Sequence, residues 1–244
     1  MGDRMQGRVG LITGGASGIG LAIAERAVAE GAEGARVVLS DLDAALLAER
    51  EKVLGEAVAS IAMDIRDEAR NQAMVSLAVE RFGRLDWAVN SAGVGAFAPI
   101  VDQTEAQWDA VVDVCLKGLF LSMKHEAKRM QAQGEGGVIV NIASLNAYQP
   151  AEGMSAYCSA KAAVEMLTRV GAMELGRDRI RVCGLAPGLV DTPLTAQISA
   201  IPGVRDEYLE NIPLGRAGTV DDIASAALFL LSGDASWVSG TTLS

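Results

Sequence analysis

The chain has 244 residues, of which 50% are hydrophobic, 21% are charged and 4% are aromatic. This apolar content excludes a disordered chain, and three cysteines are too few for a disulfide scaffold. The 31 acidic and 21 basic side chains give a net charge of −10, which argues against nucleic acid and membranes as partners because both require a basic surface.

The sequence also lacks the usual signs of export, membrane insertion and metal binding. The N-terminal residues have no basic and then apolar pattern of a signal peptide, and the apolar run Ala226–Leu231 is far shorter than the ~20 residues of a membrane helix. We therefore expect a cytoplasmic protein. The cysteines form no C-x-x-C pair and His125 is the only histidine, so we expect no metal site.

Predicted strands and helices alternate along the chain. In chain order they are strand Arg8–Thr13, helix Ile19–Glu30, strand Arg36–Ser40, helix Ala44–Leu54, strand Ser60–Ile65, helix Glu68–Phe82, strand Leu85–Asn90, helix Glu105–Gln131, strand Gly137–Ala143, helix Ala156–Leu175, strand Arg179–Leu185 and helix Val220–Ser232. Near-continuous apolar strands are typical of parallel sheets buried on both faces. The alternation predicts an α/β fold: a single domain over residues 1–244 with a Rossmann-type, doubly wound parallel sheet and helices on both faces.

One long segment, residues 191–218, lacks clear periodicity and contains Pro193, Pro202 and Pro213. A loop of this length in a compact domain is more often a functional lid than a simple connection. We therefore predict a substrate lid in this segment.

A glycine-rich turn follows the first predicted strand and precedes the first helix. Its members include Gly14, Ser17, Gly18, Ile19 and Gly20. Glycines let backbone N–H groups approach a pyrophosphate closely, and the helix N-terminus adds a favourable partial positive charge. In this position between strand and helix, the turn predicts a dinucleotide-binding site.

Asp41 closes the second predicted strand, 21 residues (41 − 20) after Gly20. A carboxylate at this spacing accepts hydrogen bonds from the adenosine ribose and repels a 2′-phosphate. The pattern therefore favours NAD over NADP. Capping of the helix Ala44–Leu54 is the alternative for Asp41, but Asp43 serves that role better.

Five motifs, in order along the chain, resemble those of the classical short-chain dehydrogenase/reductase family. The segment Thr13–Gly20 is similar to T-G-x-x-x-G-I-G, and Asn90–Gly93 is similar to the N-N-A-G turn, with Ser in the second place. The other matches are Ser144, Tyr157 and Lys161 (Y-x-x-x-K), and Pro187, Gly188, Val190 and Thr192 (P-G-x-V-x-T). The resemblance covers nearly the whole chain. It implies an oxidoreductase that transfers a hydride between NAD(H) and a secondary alcohol or ketone.

The resemblance also implies the cofactor contacts. Asp64 and Ile65 are expected at the adenine, and Leu42 beside Asp41 at the adenosine end of the site. Asn90, through its backbone and side chain, is expected at the adenosine ribose together with Ala92 and Gly93. Lys161 and Tyr157 are expected at the nicotinamide ribose. The nicotinamide itself is expected to contact Pro187, Gly188, Val190 and Thr192.

Three of the matched residues predict acid–base chemistry. Tyr157 and Lys161 are four residues apart and share one helix face. A neighbouring ammonium favours the phenolate, so Tyr157 can take a proton from an alcohol or return one to a ketone. Ser144 follows the strand Gly137–Ala143, where its hydroxyl can hold the substrate oxygen.

Cys115 departs from the family pattern. It stands where members usually carry an Asn that holds a local helix distortion and a water relaying protons to the lysine. Because Cys is a weak hydrogen-bonding partner, we expect a reduced rate rather than no activity. A nucleophilic role is disfavoured, since no neighbouring base or helix N-terminus in the sequence would activate the thiol. A dinucleotide-sensing protein with impaired catalysis and a structural scaffold remain as alternatives.

The substrate itself is not fixed by the sequence. The residues expected around it are Leu145, Ala147, Gln149, Gly95, Ala96, Leu194 and Ile198. This small, weakly polar set favours an aliphatic or alicyclic substrate over a sugar phosphate. A 3-oxoacyl-acyl-carrier-protein reductase is an alternative, although Asp41 argues against the usual NADPH preference of that enzyme.

The resemblance implies a homotetramer, or a homodimer, assembled through the predicted helices Glu105–Gln131 and Ala156–Leu175. The final segment, Trp237–Ser244, is similar to the start of the last strand of the family, which usually continues into V-D-G-G. We therefore expect the chain to be a few residues short of the complete protein.

Overall fold

The computed structural model describes residues 4–30, 34–199 and 203–244. The strands in these ranges are β1 (Val9–Thr13), β2 (Arg36–Asp41), β3 (Val58–Ala62), β4 (Trp87–Asn90), β5 (Gly137–Ile142), β6 (Ile180–Leu185) and β7 (Thr242–Leu243). They form one parallel sheet in the order β3-β2-β1-β4-β5-β6-β7. The order reverses between β1 and β4, and sheets of this kind bind ligands at the carboxyl ends of the strands beside that point. The predicted doubly wound sheet is confirmed.

Helices cover both faces of this sheet. They are α1 (Gly18–Ala29), α2 (Ala44–Leu54), α3 (Glu68–Phe82), α4 (Glu105–Val112), α5 (Leu119–Gln133), α6 (Ser155–Leu175), α7 (Pro193–Ser199), α8 (Val204–Glu210) and α9 (Val220–Leu231). α1, α2 and α9 pack on one face, and α3, α5 and α6 on the other. Each face of the sheet has its own hydrophobic core, the first under α1, α2 and α9 and the second under α3, α5 and α6. Successive strand residues point to opposite faces, so in β1 Ile12 packs in the first core and Leu11 in the second.

Short polar residues begin several of the helices. Asp43 accepts a hydrogen bond from the Leu46 N–H at the start of α2, and Asp67 accepts one from the Ala69 N–H at the start of α3. Thr219 begins α9 in a reciprocal capping box with Asp222. Asp43 therefore fills the capping role and leaves Asp41 available for another.

The third predicted strand is shifted towards the N-terminus. Ser60–Ile65 was the sequence prediction, whereas β3 ends at Ala62. The Met63 N–H makes one more bond, of 2.8 Å, to the Asp41 carbonyl before the chain leaves the sheet. The apolar run continues past the strand because Met63 and Ile65 are buried against the helices of the second core.

The long helix predicted over Glu105–Gln131 is interrupted. Residues Asp113–Gly118 form a π-helical turn between α4 and α5. Gly118 in this turn packs directly on Ile65, since a Cβ placed on it would lie 2.6 Å from the Ile65 Cγ2. The close approach of two segments distant in sequence is a tertiary effect that helical periodicity does not encode.

The predicted lid contains helices rather than irregular chain alone. α7 and α8 lie within residues 191–218, while Pro202 is outside the described residues. The two ends of the segment meet, because the Asp191 N–H donates to the Gly218 carbonyl (3.1 Å) and the Gly218 N–H donates to the Leu189 carbonyl (2.9 Å). In the C-terminal segment Trp237–Ser244, the two residues of β7 pair with β6, and the Gly240 N–H also donates to the Val182 carbonyl at 2.8 Å.

Candidate active site

The glycine-rich turn forms a cradle for an anion at the carboxyl end of β1. Gly14 has a positive φ of 66°, and a Cβ on it would lie 2.9 Å from the Ala92 Cα, so only glycine fits. Gly18 also has a positive φ, of 55°, and opens α1. Ser17, the N-cap, makes no side-chain capping bond, which leaves the first N–H groups of α1 available. These donors fit the pyrophosphate of a dinucleotide.

Asp41 is tied to this cradle through the peptide of Ala16. The Asp41 carboxylate accepts the Ala16 N–H at 3.2 Å and the Leu42 N–H at 2.8 Å. On the other side, the Arg50 Nε donates to the Ala16 carbonyl at 3.2 Å. The carboxylate predicted to meet the adenosine ribose is therefore held at a fixed distance from the glycine-rich turn.

Asp64 and Ile65 follow β3 at the same edge of the sheet. The Ile65 carbonyl accepts the Asn71 Nδ2–H at 2.7 Å, and the Ser122 hydroxyl donates to the Asn71 Oδ1 at 2.5 Å. Both Asn71 and Ser122 are wholly buried, so this turn is anchored to α3 and α5. The Arg66 guanidinium binds the Asp64 carboxylate and holds the pKa of that carboxyl below its ordinary value.

The turn after β4 is fixed by a single hydroxyl. The Thr13 Oγ1 accepts the N–H groups of Ser91 and Ala92, each at 3.2 Å. This places Ala92 beside Gly14, the close approach that forms one wall of the cleft.

The resemblance implies that the Asn90 side chain contacts the cofactor, but in the structure this side chain points into the core. Its Nδ2 donates to the Glu126 carboxyl (3.0 Å) and to the Asn141 Oδ1 (3.1 Å) in the core. The cause is strand parity, because Asn90 lies two residues after Ala88 and points to the same buried face. Complete burial raises the pKa of Glu126 to about 8, while the hydrogen bond from Asn90 opposes the rise.

The three predicted catalytic side chains converge on one cavity. Ser144 is buried, and its hydroxyl accepts the Asn146 N–H at 3.1 Å, beginning a short 3-10 turn. Lys161 is 3% exposed and donates to the Ile142 carbonyl at 2.7 Å. Its Nζ lies 5.6 Å from the centroid of the Tyr157 ring. The ammonium is therefore fixed beside the phenol, as the four-residue spacing predicted.

Cys115 holds the π-helical turn against the loop that follows β4. Its thiol donates to the Val94 carbonyl at 3.2 Å and accepts the Val94 N–H at 3.4 Å. The side chain is wholly buried. A Cβ placed on Gly93 would lie 3.7 Å from this thiol and 3.9 Å from the Lys161 Nζ. Cys115 thus lies just behind Gly93, the residue that borders Lys161.

The cavity has a volume of about 340 Å3 and runs along the carboxyl ends of the strands. Of the predicted residues, those that line it are Gly14, Ser17, Gly18, Ile19, Asp41, Leu42, Asp64, Ile65, Ala92, Gly93, Ser144, Tyr157, Lys161, Pro187, Gly188, Val190, Thr192 and Leu194. Gly20 does not line it and instead packs on the Gly14 carbonyl within the turn. A second depression, about 640 Å3, lies between β3 and α3 and contains none of the predicted site residues.

The predicted substrate residues are only partly brought together. Leu194 faces Gly95 across the cleft, since a Cβ on Gly95 would lie 3.9 Å from the Leu194 Cδ1. Leu145 packs near Gly188 but does not line the cavity, and neither do Ala147 and Gln149. Leu145 and Ala147 belong to the 3-10 turn that follows Ser144. Ala96 is also absent from the lining, and the Ile198 side chain lies outside the part of the chain that the structure describes.

Several lining residues were not singled out as contacts by the sequence. They are Thr13, Ser40, Met63, Arg66, Ser91, Val94, Val114, Ile142, Ala143, Pro193 and Thr195. Most of them are sequence neighbours of motif residues, and this position next to a motif is the signal by which the sequence could have identified them. Within the described ranges no group of His, Cys, Asp and Glu could hold a metal, and no helix has the length and apolar character to span a bilayer.

Comparison with known proteins places the chain among dehydrogenases and reductases. A family model described as enoyl-(acyl carrier protein) reductase matches residues 14–244. The 2,5-dichloro-2,5-cyclohexadiene-1,4-diol dehydrogenase of Sphingobium indicum is 36% identical over 247 residues, which cover 100% of this chain and 96% of that protein. Levodione reductase of Leifsonia aquatica is 38% identical, over 98% of this chain and 93% of that protein. The solved structure of the 3-ketoacyl-(acyl-carrier-protein) reductase from Brucella melitensis complexed with NADH is 35% identical, with a TM-score of 0.89 over 98% of this chain and 96% of that one.

Proposed function

Because the chain belongs to the classical short-chain dehydrogenase/reductase family, whose members are oxidoreductases that bind nicotinamide dinucleotides, we propose that it transfers a hydride between NAD(H) and a secondary alcohol or ketone. One observation carries this proposal. Ser144, Tyr157 and Lys161 line the same cavity as the glycine cradle and Asp41. The cofactor site, the catalytic residues and the lid over residues 191–218 then belong to a single domain.

The nicotinamide, when bound, supplies or accepts the hydride. During oxidation, Tyr157 takes the proton of the alcohol hydroxyl as the carbon loses its hydride, and during reduction it returns a proton to the ketone oxygen. Lys161 stabilises the phenolate by its charge, since its Nζ is fixed beside the ring. The Ser144 hydroxyl donates to the substrate oxygen and orients it.

NAD rather than NADP is the proposed cofactor. The Asp41 carboxylate lies in the cleft and is tied to the phosphate-binding turn through Ala16. In that position it accepts hydrogen bonds from a ribose and repels a 2′-phosphate. The remaining cofactor contacts are those of the cavity wall described above, from Leu42 and Asp64 at one end to Thr192 at the other.

A turnover assay tests the proposal. The purified protein is mixed with NAD or NADP and a panel of secondary alcohols with aliphatic and alicyclic bodies, and the appearance of reduced nicotinamide is followed. We expect turnover with NAD in preference to NADP for at least one alcohol of the panel. Absence of turnover with either cofactor, together with tight NADH binding, would favour instead a dinucleotide-binding protein with impaired catalysis, the alternative that Cys115 supports.

Reduction of 3-oxoacyl groups is the second candidate activity. It is supported by the Brucella melitensis neighbour, a 3-ketoacyl-(acyl-carrier-protein) reductase that was solved with NADH. Parallel assays with NADH and either a 3-oxoacyl thioester or a simple cyclic ketone separate the two. Faster reduction of the thioester supports the second candidate.

We also propose that the protein is a homotetramer and that it is cytoplasmic. The outer face of α6 presents Met166, Val170 and Met173, of which Met173 is 83% exposed. A second copy of the chain would cover this apolar face. The three free thiols of Cys115, Cys158 and Cys183 suit a reducing compartment. Light scattering of the purified protein measures the assembly.

A further inference from the structure

We propose that Arg66 recognises the adenine base of the cofactor, with its guanidinium held in place by Asp64 so that its flat face stacks on the purine. This inference rests on the proposed function, because it assumes a dinucleotide in the cleft. It adds a recognition residue that neither the motifs nor the resemblance singled out.

The location of Arg66 is the first argument. Arg66 lines the same cavity as Asp41 and Asp64, at the end away from Tyr157 and Lys161 in the strand order. Its side chain is about half exposed, so it has not been withdrawn into the core. A ligand that fills this end of the cavity must contact it.

The geometry of the ion pair is the second argument. The Arg66 Nε lies 3.0 Å from both Asp64 carboxylate oxygens, and Nη2 lies 2.6 Å from Oδ2. The Arg66 backbone N–H also donates to Asp64, at 2.9 Å. Bidentate contacts of this kind fix the plane of a guanidinium. The Nη1 has no partner among the described residues and remains free to donate.

The rigidity of the turn is the third argument. The buried Asn71 holds the Ile65 carbonyl, and Ser122 holds Asn71. A side chain on a turn anchored in this way loses little conformational freedom when a ligand binds.

The composition of this end of the cavity favours a flat aromatic ligand. The aliphatic neighbour at this end is Leu42, whose side chain is 71% exposed, while Met63 and Ile65 also line the cavity but are largely buried in the second core. A purine that packs against Leu42 on one side and the flat face of the guanidinium on another gains both apolar contact and stacking. A phosphate would gain little from Arg66, because Asp64 already neutralises its charge.

The test measures binding, not turnover. NADH and reduced nicotinamide cytosine dinucleotide, which differ only in the base, are titrated into the wild type and Arg66→Gln, and the fluorescence of the reduced nicotinamide reports binding. We expect Arg66→Gln to weaken NADH roughly fivefold and the cytosine analogue by less than about twofold, because the smaller base offers less stacking surface. The cytosine analogue thus reports whether the variant is folded.

Arg70→Gln is the matched control. Arg70 is also exposed and lies at the start of α3, but it donates to the Ala62 carbonyl and does not line the cavity. We expect its affinity for NADH to equal that of the wild type. Arg66→Lys should resemble Arg66→Gln, because a lysine keeps the charge but lacks the planar face.

Three results would overturn the inference. The first is an unchanged affinity of Arg66→Gln for NADH, and the second is an equal loss for both dinucleotides. The third is a larger loss for NADPH than for NADH, which would make Arg66 a ligand of the 2′-phosphate. A wild type that binds neither NADH nor NADPH would instead overturn the proposed function, and this inference with it.

Discussion

The thiol of Cys115 exchanges two hydrogen bonds with the backbone of Val94, donating to its carbonyl and accepting from its N–H. A single sulfur atom therefore performs both functions of an amide side chain at this point. The π-helical turn is present with Cys in this place, and it connects α4 and α5 close to Lys161, the proposed catalytic lysine. Because a thiol forms weaker hydrogen bonds than an amide, we expect Cys115 to affect kcat and the free energy of unfolding rather than the fold.

Replacing Cys115 tests that interpretation. Cys115→Asn should raise kcat several-fold, because an amide forms stronger bonds to the Val94 N–H and carbonyl. Cys115→Val should lower kcat about tenfold and reduce the free energy of unfolding by roughly 1 kcal/mol, since the N–H and carbonyl of Val94 both lose their partner. Steady-state kinetics and urea unfolding measure these changes.

Cys183→Ala is the control for the Cys115 variants. The Cys183 thiol also donates to a backbone carbonyl, that of Val238 at 3.2 Å, but it lies outside the cavity. This variant should lose stability without a change in kcat. If Cys115→Val kept the wild-type kcat, Cys115 would have no positioning role.

Tyr157→Phe should lower kcat by roughly a thousandfold, since it removes the group that exchanges the proton. The affinity for NADH should change by less than about twofold, because the ring remains beside Lys161. Tyr148→Phe, which removes a hydroxyl that does not line the cavity, is the control and should keep its rate. A Tyr157→Phe variant with full activity would contradict the mechanism.

Asp41→Ala should weaken NAD binding about tenfold and reduce the preference for NAD over NADP. Two effects combine, because the ribose loses an acceptor and the 2′-phosphate loses a repelling charge. Titrations with NADH and NADPH measure the ratio. Asp43→Ala removes the cap of α2 two residues away and should leave that ratio unchanged. An unaltered preference in Asp41→Ala would remove Asp41 from cofactor selection.

Glu126 should make stability depend on pH. Its pKa is raised to about 8 by burial, so the native state retains a proton that the unfolded chain releases near its ordinary value of 4.5. The unfolded state therefore binds fewer protons between these values, and stability falls as the pH rises through this range. Glu126→Gln should flatten that slope and raise the free energy of unfolding at pH 8 by roughly 3 kcal/mol.

The local contacts give Glu126→Gln a second benefit. The Asn90 Oδ1 has no partner among the described residues, and the amide of a glutamine could donate to it. Glu80→Gln, on the exposed face of α3, is the control and should keep the wild-type slope. Urea unfolding between about pH 5 and pH 8 measures both variants. An equal slope in the wild type and Glu126→Gln would contradict the assignment.

Much of the fold was readable from the sequence because burial on both faces gives central strands an unbroken apolar run. The same signal was wrong at β3, where Met63 and Ile65 are apolar but lie beyond the strand. Apolar character reports burial, and it does not distinguish a strand from the buried turn that follows it.

The sequence predicted those residues of the candidate site whose position is set by a backbone motif. It was wrong for residues whose place in the site depends on the direction of the side chain. Gly14 and Lys161 line the cavity as expected, because a turn or a helix face determines their position. Asn90 turns into the core because strand parity sets its direction, and Leu145 does not line the cavity although it follows Ser144 directly. The sequence indicates which residues lie near the site more reliably than where each side chain points.

The pairing between Leu189, Asp191 and Gly218 has a consequence for how this architecture can diversify. Because residues 191–218, the proposed lid, leave and rejoin the rest of the domain at one point, the length and composition of this segment can change at little entropic cost to the rest of the chain. The sheet, the cradle at Gly14 and the pair of Tyr157 and Lys161 need not move. The proposed lid is therefore exchangeable, and we expect that replacing residues 191–218 with those of a relative changes the substrate range.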